Sequence, residues 1–242
     1  MKIVFSTKNV NRTTFLDICR YTYDYGYRGF EIYDAIKERS QHHDSILRRD
    51  RVADAKRKLV NRNIAVSALR MPYSVENDMT TEDIVLKYVD MAASAGITDV
   101  IVNIDNEVSY DVLQAKLGKA IKHAEMSDVR ILFETTGFLA DTQKVIDIIN
   151  YFSSAAIGVS WNVRSTFFAG GETAETTIKT LGAYIKYVRL GDMKDGKKVL
   201  IGEGELPVEQ LINALSSLNY EGYICVAWNE EINDADIVLT HF

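Results

Sequence analysis

The sequence predicts a parallel (β/α)8 barrel, and three observations favour this fold. Eight short apolar runs rich in Val, Ile, Phe and Tyr recur along the chain, and most lack the strict alternation of a strand with one solvated face. Amphipathic stretches of helical length separate the runs, so each repeat has the size of one strand–helix unit with its loops. The length of 242 residues is near the usual size of one such barrel.

Each predicted element is placed by its local pattern. A parallel sheet that is buried on both faces requires near-continuous apolar runs, and these lie at 3–6, 29–33, 65–69, 99–104, 130–134, 157–161, 185–190 and 223–228. Helical periodicity predicts the seven intervening helices, at 13–25, 52–60, 81–95, 110–124, 141–152, 173–181 and 208–218. Gly26, Gly96 and Gly182 stand where helices give way to the next strand, as expected of C-terminal glycines.

The domain prediction is one barrel over residues 1–242. An open doubly wound sheet is the alternative, but no GxGxxG follows the first strand, which disfavours a dinucleotide-binding version of it. Only Asn229 and residues 230–242 follow the eighth run, and a full closing helix normally stands there. We therefore expect either a short last helix or a domain that is part of a longer protein.

Composition narrows the classes of function. The formal net charge of −6 argues against a general nucleic-acid binder, which normally carries a basic face. No apolar stretch approaches the length of a membrane span, and the N-terminal apolar run is too short for a signal peptide. Two isolated cysteines, Cys19 and Cys225, are typical of a reducing compartment. The expected location is the cytoplasm.

Polar residues close several of the predicted strands. In a parallel barrel, the catalytic and binding groups come from the carboxyl ends of the strands and the loops that follow them. The candidates at these ends are Glu31, Arg70, Glu134, Trp161, Asn162, Arg164, Arg189 and Asp192. A carboxylate that ends an apolar strand needs a partner, a ligand or a function, because burying a lone charge is costly. Glu134 is the strongest candidate for a catalytic residue, and Glu31 is the second. Asp192 is equally a candidate turn residue of the loop 192–196, whose sequence is typical of a hairpin or loop.

Short segments in order along nearly the whole chain carry a family resemblance. They are MKIV at 1–4, YGYRGFEI at 25–32, AGITDVIV at 95–102, LFE at 132–134, LGD at 190–192 with GEGELP at 202–207, and NYEGYICV at 219–226. In these segments the chain resembles the xylose-isomerase-like TIM barrels, a superfamily of sugar isomerases, sugar epimerases, inosose dehydratases and endonuclease-IV-type enzymes. The resemblance implies a small carbohydrate or sugar acid as the ligand.

The resemblance also implies a divalent metal, held by Glu, Asp, His and Glu at the ends of strands five to eight. Glu134 matches the first of these positions. Asn162 stands where the Asp is expected, Arg189 where the His is expected and Ala227 where the last Glu is expected. Oxygen and imidazole donors of this kind suit Mg, Mn, Co or Zn.

These substitutions predict that no metal is bound. Arginine stays protonated and has no lone pair for a metal, and two anionic ligands are lost. If the alignment at strand eight is shifted, Glu230 or Glu231 supplies the last ligand and a divalent metal becomes the expected cofactor. That shift leaves Arg189 unexplained.

Two functional interpretations follow. In the first, the barrel is a sugar isomerase or epimerase with a degenerate metal site: Glu134 or Glu31 acts as a general base, and arginines stabilise the developing charge. Arg70, Asn162, Arg164, Arg189, Asp192 and Trp161 then contact the substrate. In the second, Arg189 pairs with Glu134 as a structural salt bridge, and the barrel is a non-catalytic ligand-binding or scaffold domain.

A DNA-repair function of the endonuclease-IV type is disfavoured, because it needs a histidine-rich metal cluster and no histidine falls at a predicted strand end. A homo-oligomer and fused further domains both remain open alternatives.

Overall fold

Eight parallel strands close into a barrel in the computed structural model, which describes residues 1–10 and 14–226. The strands follow one another around the barrel in chain order, and the last pairs with the first, so no sheet edge is left open. The strands are β1 Lys2–Ser6, β2 Gly29–Tyr33, β3 Ala65–Arg70, β4 Asp99–Val102, β5 Arg130–Glu134, β6 Ile157–Asn162, β7 Ile185–Leu190 and β10 Tyr223–Val226. The predicted (β/α)8 barrel is confirmed, and the open-sheet alternative is excluded.

Helices cover the outside of the barrel. They are α1 Phe15–Asp24, α2 Ala35–Gln41, α3 Val52–Asn61, α4 Glu82–Ala95, α5 Tyr110–Met126, α6 Thr142–Phe152, α7 Val163–Phe168, α8 Ala174–Leu181 and α9 Val208–Ser217. The ends follow the expected chemistry: Thr81 caps α4 by accepting from the backbone N–H of Ile84 at 3.3 Å, and Gly96 ends it with φ 70°. In residues 1–10 and 14–226, no helix is long and apolar enough to cross a membrane.

Three short elements depart from the predicted pattern. The sequence indicated no helix at α2 or α7, because each holds too few residues to display a helical period. The third element is an antiparallel hairpin after β7, formed by β8 Asp192–Lys194 and β9 Lys197–Val199, where the sequence indicated a hairpin or loop over 192–196. Asp195 and Gly196 turn it with φ of 50° and 74°, as the mirror-image hairpin turn requires.

The alternation of side chains along each strand determines which residues face the barrel interior. Val4, Ala68, Ile101, Leu132, Tyr187 and Cys225 form a compact cluster of buried side chains, one from each of six strands. Residues two positions further along the strands face the same way, one layer closer to the carboxyl end. Ser6, Arg70, Glu134 and Arg189 occupy that next layer. The fold therefore brings polar strand-end residues together above an apolar plug.

Candidate functional site

Five polar side chains meet at the carboxyl ends of the strands, and we call them the mouth cluster. They are Glu31 of β2, Arg70 of β3, Glu134 of β5, Asn162 of β6 and Arg189 of β7. Glu31 and Glu134 are completely buried, and Asn162 and Arg189 are at most 8% exposed. The structure thus brings together the two predicted catalytic glutamates and three of the predicted binding residues.

Arg189 joins the two carboxylates of the cluster. Its Nη2 donates to Oε2 of Glu31, and its Nε lies 3.0 Å from Oε1 of Glu134. Burial lowers the pKa of Arg189, but the two glutamates outweigh this and the pKa lies well above its ordinary value. The guanidinium is therefore a fixed positive charge between two negative ones.

Both carboxylate oxygens of Glu134 are engaged. Oε1 accepts from Nδ2 of Asn162 at 2.9 Å, and Oε2 forms an ion pair with Nη2 of Arg70. Burial raises the pKa of Glu134. The positive charges of Arg70 and Arg189 and the hydrogen bonds lower it by more, so the pKa lies below its ordinary value. Glu134 is ionised at neutral pH.

Glu31 has a simpler environment. Its Oε1 accepts a hydrogen bond of 2.8 Å from Oγ of Ser6, and its Oε2 accepts from Arg189. The strand register pairs Ser6 of β1 with Glu31 of β2, which places the hydroxyl next to the carboxylate. Sequence reasoning missed Ser6, although the predicted β1 ended on this residue.

Among the described residues, two buried polar atoms of the site have neither a hydrogen bond nor an ion pair, whereas Oε2 of Glu134 and Nε of Arg189 are ion-paired without a hydrogen bond. Nη1 of Arg70 and Oγ of Ser160 are both buried, and neither has a hydrogen-bond partner in the described part of the chain. Ser160 stands beside Glu134 in the sheet register, two residues before Asn162 on the same face of β6. Buried groups of this kind are normally satisfied, so both atoms keep unused hydrogen-bonding capacity.

Trp161 does not reach the mouth. It lies between Ser160 and Asn162 on β6, so the alternation turns its ring toward the helices, where it is completely buried. Its indole N–H donates to Oγ1 of Thr166 in α7 at 2.9 Å. The interpretation of Trp161 as a substrate contact is therefore wrong: its ring packs between the barrel and the helices.

Asp192 serves its own loop. Its Oδ1 accepts from the backbone N–H groups of Met193 and Leu206, and its Oδ2 accepts from those of Gly202 and Gly204, over 2.8–3.0 Å. The side chain is 1% exposed. The four donors come from residues 193–206 and leave the carboxylate committed to holding that loop, so the structure does not bring Asp192 to a ligand.

Arg164 lies in the first turn of α7, directly after β6, and is partly buried. Its position in the chain is therefore on the mouth side of the barrel. A substrate contact by Arg164 stays a prediction.

A divalent metal does not fit the residues that the structure describes. Within those ranges, no three His, Cys, Asp or Glu side chains come together as a metal site. Glu134 directs its oxygens at guanidinium and amide donors, and Arg189 offers no lone pair. The remaining positions of the sequence argument, Ala227, Glu230 and Glu231, lie outside the described residues.

Comparison with known proteins supports the fold and the family. The family model described as "Xylose isomerase-like TIM barrel" matches residues 19–240. No curated protein matches the chain in sequence.

Solved structures of this architecture superpose over almost the whole chain. A 3-keto-D-glucoside 4-epimerase from E. coli has 14% identity and a TM-score of 0.79, with 99% of this chain and 96% of that chain covered. A probable 3-DHS dehydratase of petrobactin synthesis from Bacillus anthracis has 12% identity and a TM-score of 0.78, with the same coverage. A D-allulose 3-epimerase from Methylomonas sp., solved with D-allulose, has 13% identity and a TM-score of 0.73, covering 100% and 94%. At these identities the likeness shows the fold alone.

Proposed function

Because the chain belongs to the xylose isomerase-like TIM barrel family, we propose that its mouth binds a small carbohydrate or sugar acid without a divalent metal. One observation carries the proposal: the guanidinium of Arg189 lies between Glu31 and Glu134. It supplies positive charge at the position where the family resemblance implies a metal ligand.

Electrostatics supports the absence of a metal. Two guanidiniums already neutralise the two carboxylates of the mouth cluster. Like unit charges 4 Å apart repel by about 4 kcal/mol at the effective dielectric of a protein surface, and a divalent ion doubles this for each arginine. A cation would have to displace both arginines before it gained a carboxylate ligand.

The unpartnered groups support a ligand rich in oxygen. Nη1 of Arg70 is a cationic donor, and Oγ of Ser160 both donates and accepts. A hydroxyl or carboxylate oxygen on Arg70 forms a charge-assisted hydrogen bond, and a second hydroxyl reaches Ser160. At the rim, the ammonium of Lys8 lies over the ring of the partly buried Tyr33, 5.3 Å from the ring centre. Tyr73 is 46% exposed. Lys8 covers one face of Tyr33, and the exposed ring of Tyr73 suits packing against a sugar ring.

The test combines metal analysis with ligand titration. We expect purified protein to contain no stoichiometric metal, and calorimetry with MnCl2 and ZnCl2 to give no tight site. D-gluconate, D-glucuronate and D-glucose are the ligand probes, with and without EDTA. Arg70→Ala should weaken binding by at least about tenfold, the loss of one charged hydrogen bond, while Lys122→Ala on the outer surface serves as the control.

Tight binding of one equivalent of Mn²⁺ or Zn²⁺ that Glu134→Ala abolishes would overturn the proposal. Ligand binding that EDTA removes would overturn it as well. If no probe binds and wild-type protein also binds no metal, the scaffold interpretation replaces it.

Metal-free isomerase or epimerase chemistry is the second candidate. It is favoured by the two carboxylates on either side of one guanidinium, since Arg189 would stabilise an enediolate while a glutamate moves the proton. It ranks second because the lowered pKa of Glu134 makes this carboxylate a weak base. The measurement that supports it is deuterium uptake from D2O, at carbon next to a carbonyl, into a ketose probe such as D-fructose. Glu31→Gln should abolish that uptake.

A further inference from the structure

We propose that a groove on the outer wall of the barrel binds a small amphiphilic anion, with an apolar body and one acidic head group. The groove lies between α2, the α2–α3 loop and α4, and encloses about 360 Å³. That volume is in the range of small-molecule sites. It is formed by helices on the outside of the barrel and includes no residue of the mouth cluster.

The floor of the groove is apolar. Ile36 of α2 is 39% exposed above it, and Leu47 and Met91 form its buried base at 4% and 6% exposure. On α4 the lining residues are spaced at 84, 87, 91 and 94, so the groove follows one face of that helix for about three turns, or about 15 Å. An extended acyl chain of about ten carbons matches this length and gains by leaving water.

The rim of the groove is cationic. Arg39, Arg49 and Lys87 line it and are exposed, and none has an ion-pair partner within the described ranges. The one acidic residue of the lining, Asp90, lies 2.7 Å from Nε2 of His123. Three cationic residues therefore line one apolar cleft against one carboxylate, and an anionic head group gains charge-assisted contacts there.

The segment that contains α2 and α3 is positively charged, although the chain as a whole is negatively charged. Residues 37–62 hold nine Lys and Arg against four Asp and Glu, whereas the whole chain carries a net charge of −6. The positive potential is thus concentrated on the α2–α3 side of the barrel, and it attracts anions to the groove. Apolar surface and cations together select an amphiphile over a simple inorganic anion.

The experiment is calorimetric titration with sodium decanoate below its micellar concentration, at low salt. We expect one site per chain, binding at least about tenfold tighter than that of decanol or acetate, which lack the charge and the body respectively. Arg49→Glu/Lys87→Glu should weaken the binding of decanoate at least about tenfold. Lys122→Glu/Lys179→Glu makes the same charge change at exposed lysines that lie outside the groove and outside residues 37–62, and it should leave the decanoate affinity within about twofold.

Equal affinity for the wild type and Arg49→Glu/Lys87→Glu, or equal affinity for decanol and decanoate, would overturn the proposal. So would a dimer, seen by light scattering, that the same double variant dissociates, because the groove would then be a subunit interface. Arg70→Ala should leave decanoate binding unchanged, which separates this site from the mouth.

Discussion

Both ends of the barrel hold arginine–carboxylate pairs, but within the described residues those at the carboxyl end leave a buried arginine donor unused. At the amino end, Arg130 of β5 donates Nε and Nη2 to the two oxygens of Asp99 on β4, at 2.7 and 2.9 Å. At the carboxyl end, Arg189 is shared by two glutamates and Arg70 keeps one buried donor without a partner. The first pair is closed on itself and stabilises the fold, whereas the second has bonding capacity left for a ligand.

The largest loss of stability is expected from Arg189→Met, because this change leaves two buried carboxylates without their shared cation. Breaking a buried ion pair from one side costs about 3–5 kcal/mol. Urea denaturation should show this loss in the free energy of unfolding, with m unchanged. A loss below about 1 kcal/mol would mean that the guanidinium does not hold the mouth together.

Glu134→Gln should produce the next largest loss, about 1.5–3 kcal/mol at neutral pH, because hydrogen bonds to a charged group are removed. The loss should also depend on pH. Since the pKa of Glu134 is lowered in the folded state, its stabilisation is present above the unfolded pKa of about 4.3 and is lost as the pH falls through the folded pKa.

The measurement is the free energy of unfolding of the wild type and Glu134→Gln from neutral to acid pH. The two curves should converge below pH 4. Curves that stay parallel throughout that window would contradict a lowered pKa.

Arg130→Met should cost less than either change at the mouth, about 1–2 kcal/mol. Asp99 is buried and loses its partner, but Arg130 is 36% exposed, so water replaces part of the interaction. Sugar binding should be unaffected in this variant. A larger loss from Arg130→Met than from Arg189→Met would reverse the comparison between the two ends.

Trp161→Phe should have the smallest effect. It removes the 2.9 Å bond to Thr166 and keeps most of the apolar ring, for a loss of about 1 kcal/mol. Because the ring faces the helices, titration with D-gluconate should give the wild-type affinity. A clear loss of affinity would return Trp161 to the binding site.

The strand pattern was sufficient to predict the fold and much of the site. Each predicted strand is present, with β4 two residues shorter than expected and the last two residues of the eighth, Ala227 and Trp228, outside the described residues. Glu31, Glu134 and Asn162 could be grouped from sequence, since parallel strands end at one rim.

The choice of partners could not be predicted. The sequence interpretation paired Arg189 with Glu134, and the structure adds Glu31, whose proximity depends on the stagger of strands across the barrel. The outward turn of Trp161 was available from sequence, because a residue next to the inward Asn162 must face the other way. A loop role for Asp192 was one of two interpretations from sequence, but its four backbone donors could not be predicted, because three of them lie ten or more residues further along the chain.

The side-chain amide of Asn162 links the charge of the mouth cluster to the start of α7. Its Nδ2 donates to Glu134, while its Oδ1 accepts from the backbone N–H of Ser165 and so begins α7. An aspartate there could start the helix equally well, but it would present a second negative charge to Glu134. The amide of Asn162 and the cation of Arg189 are therefore electrostatically linked. An aspartate at 162 adds a negative charge and a neutral residue at 189 removes a positive one, so either change alone leaves a buried carboxylate without its counterpart.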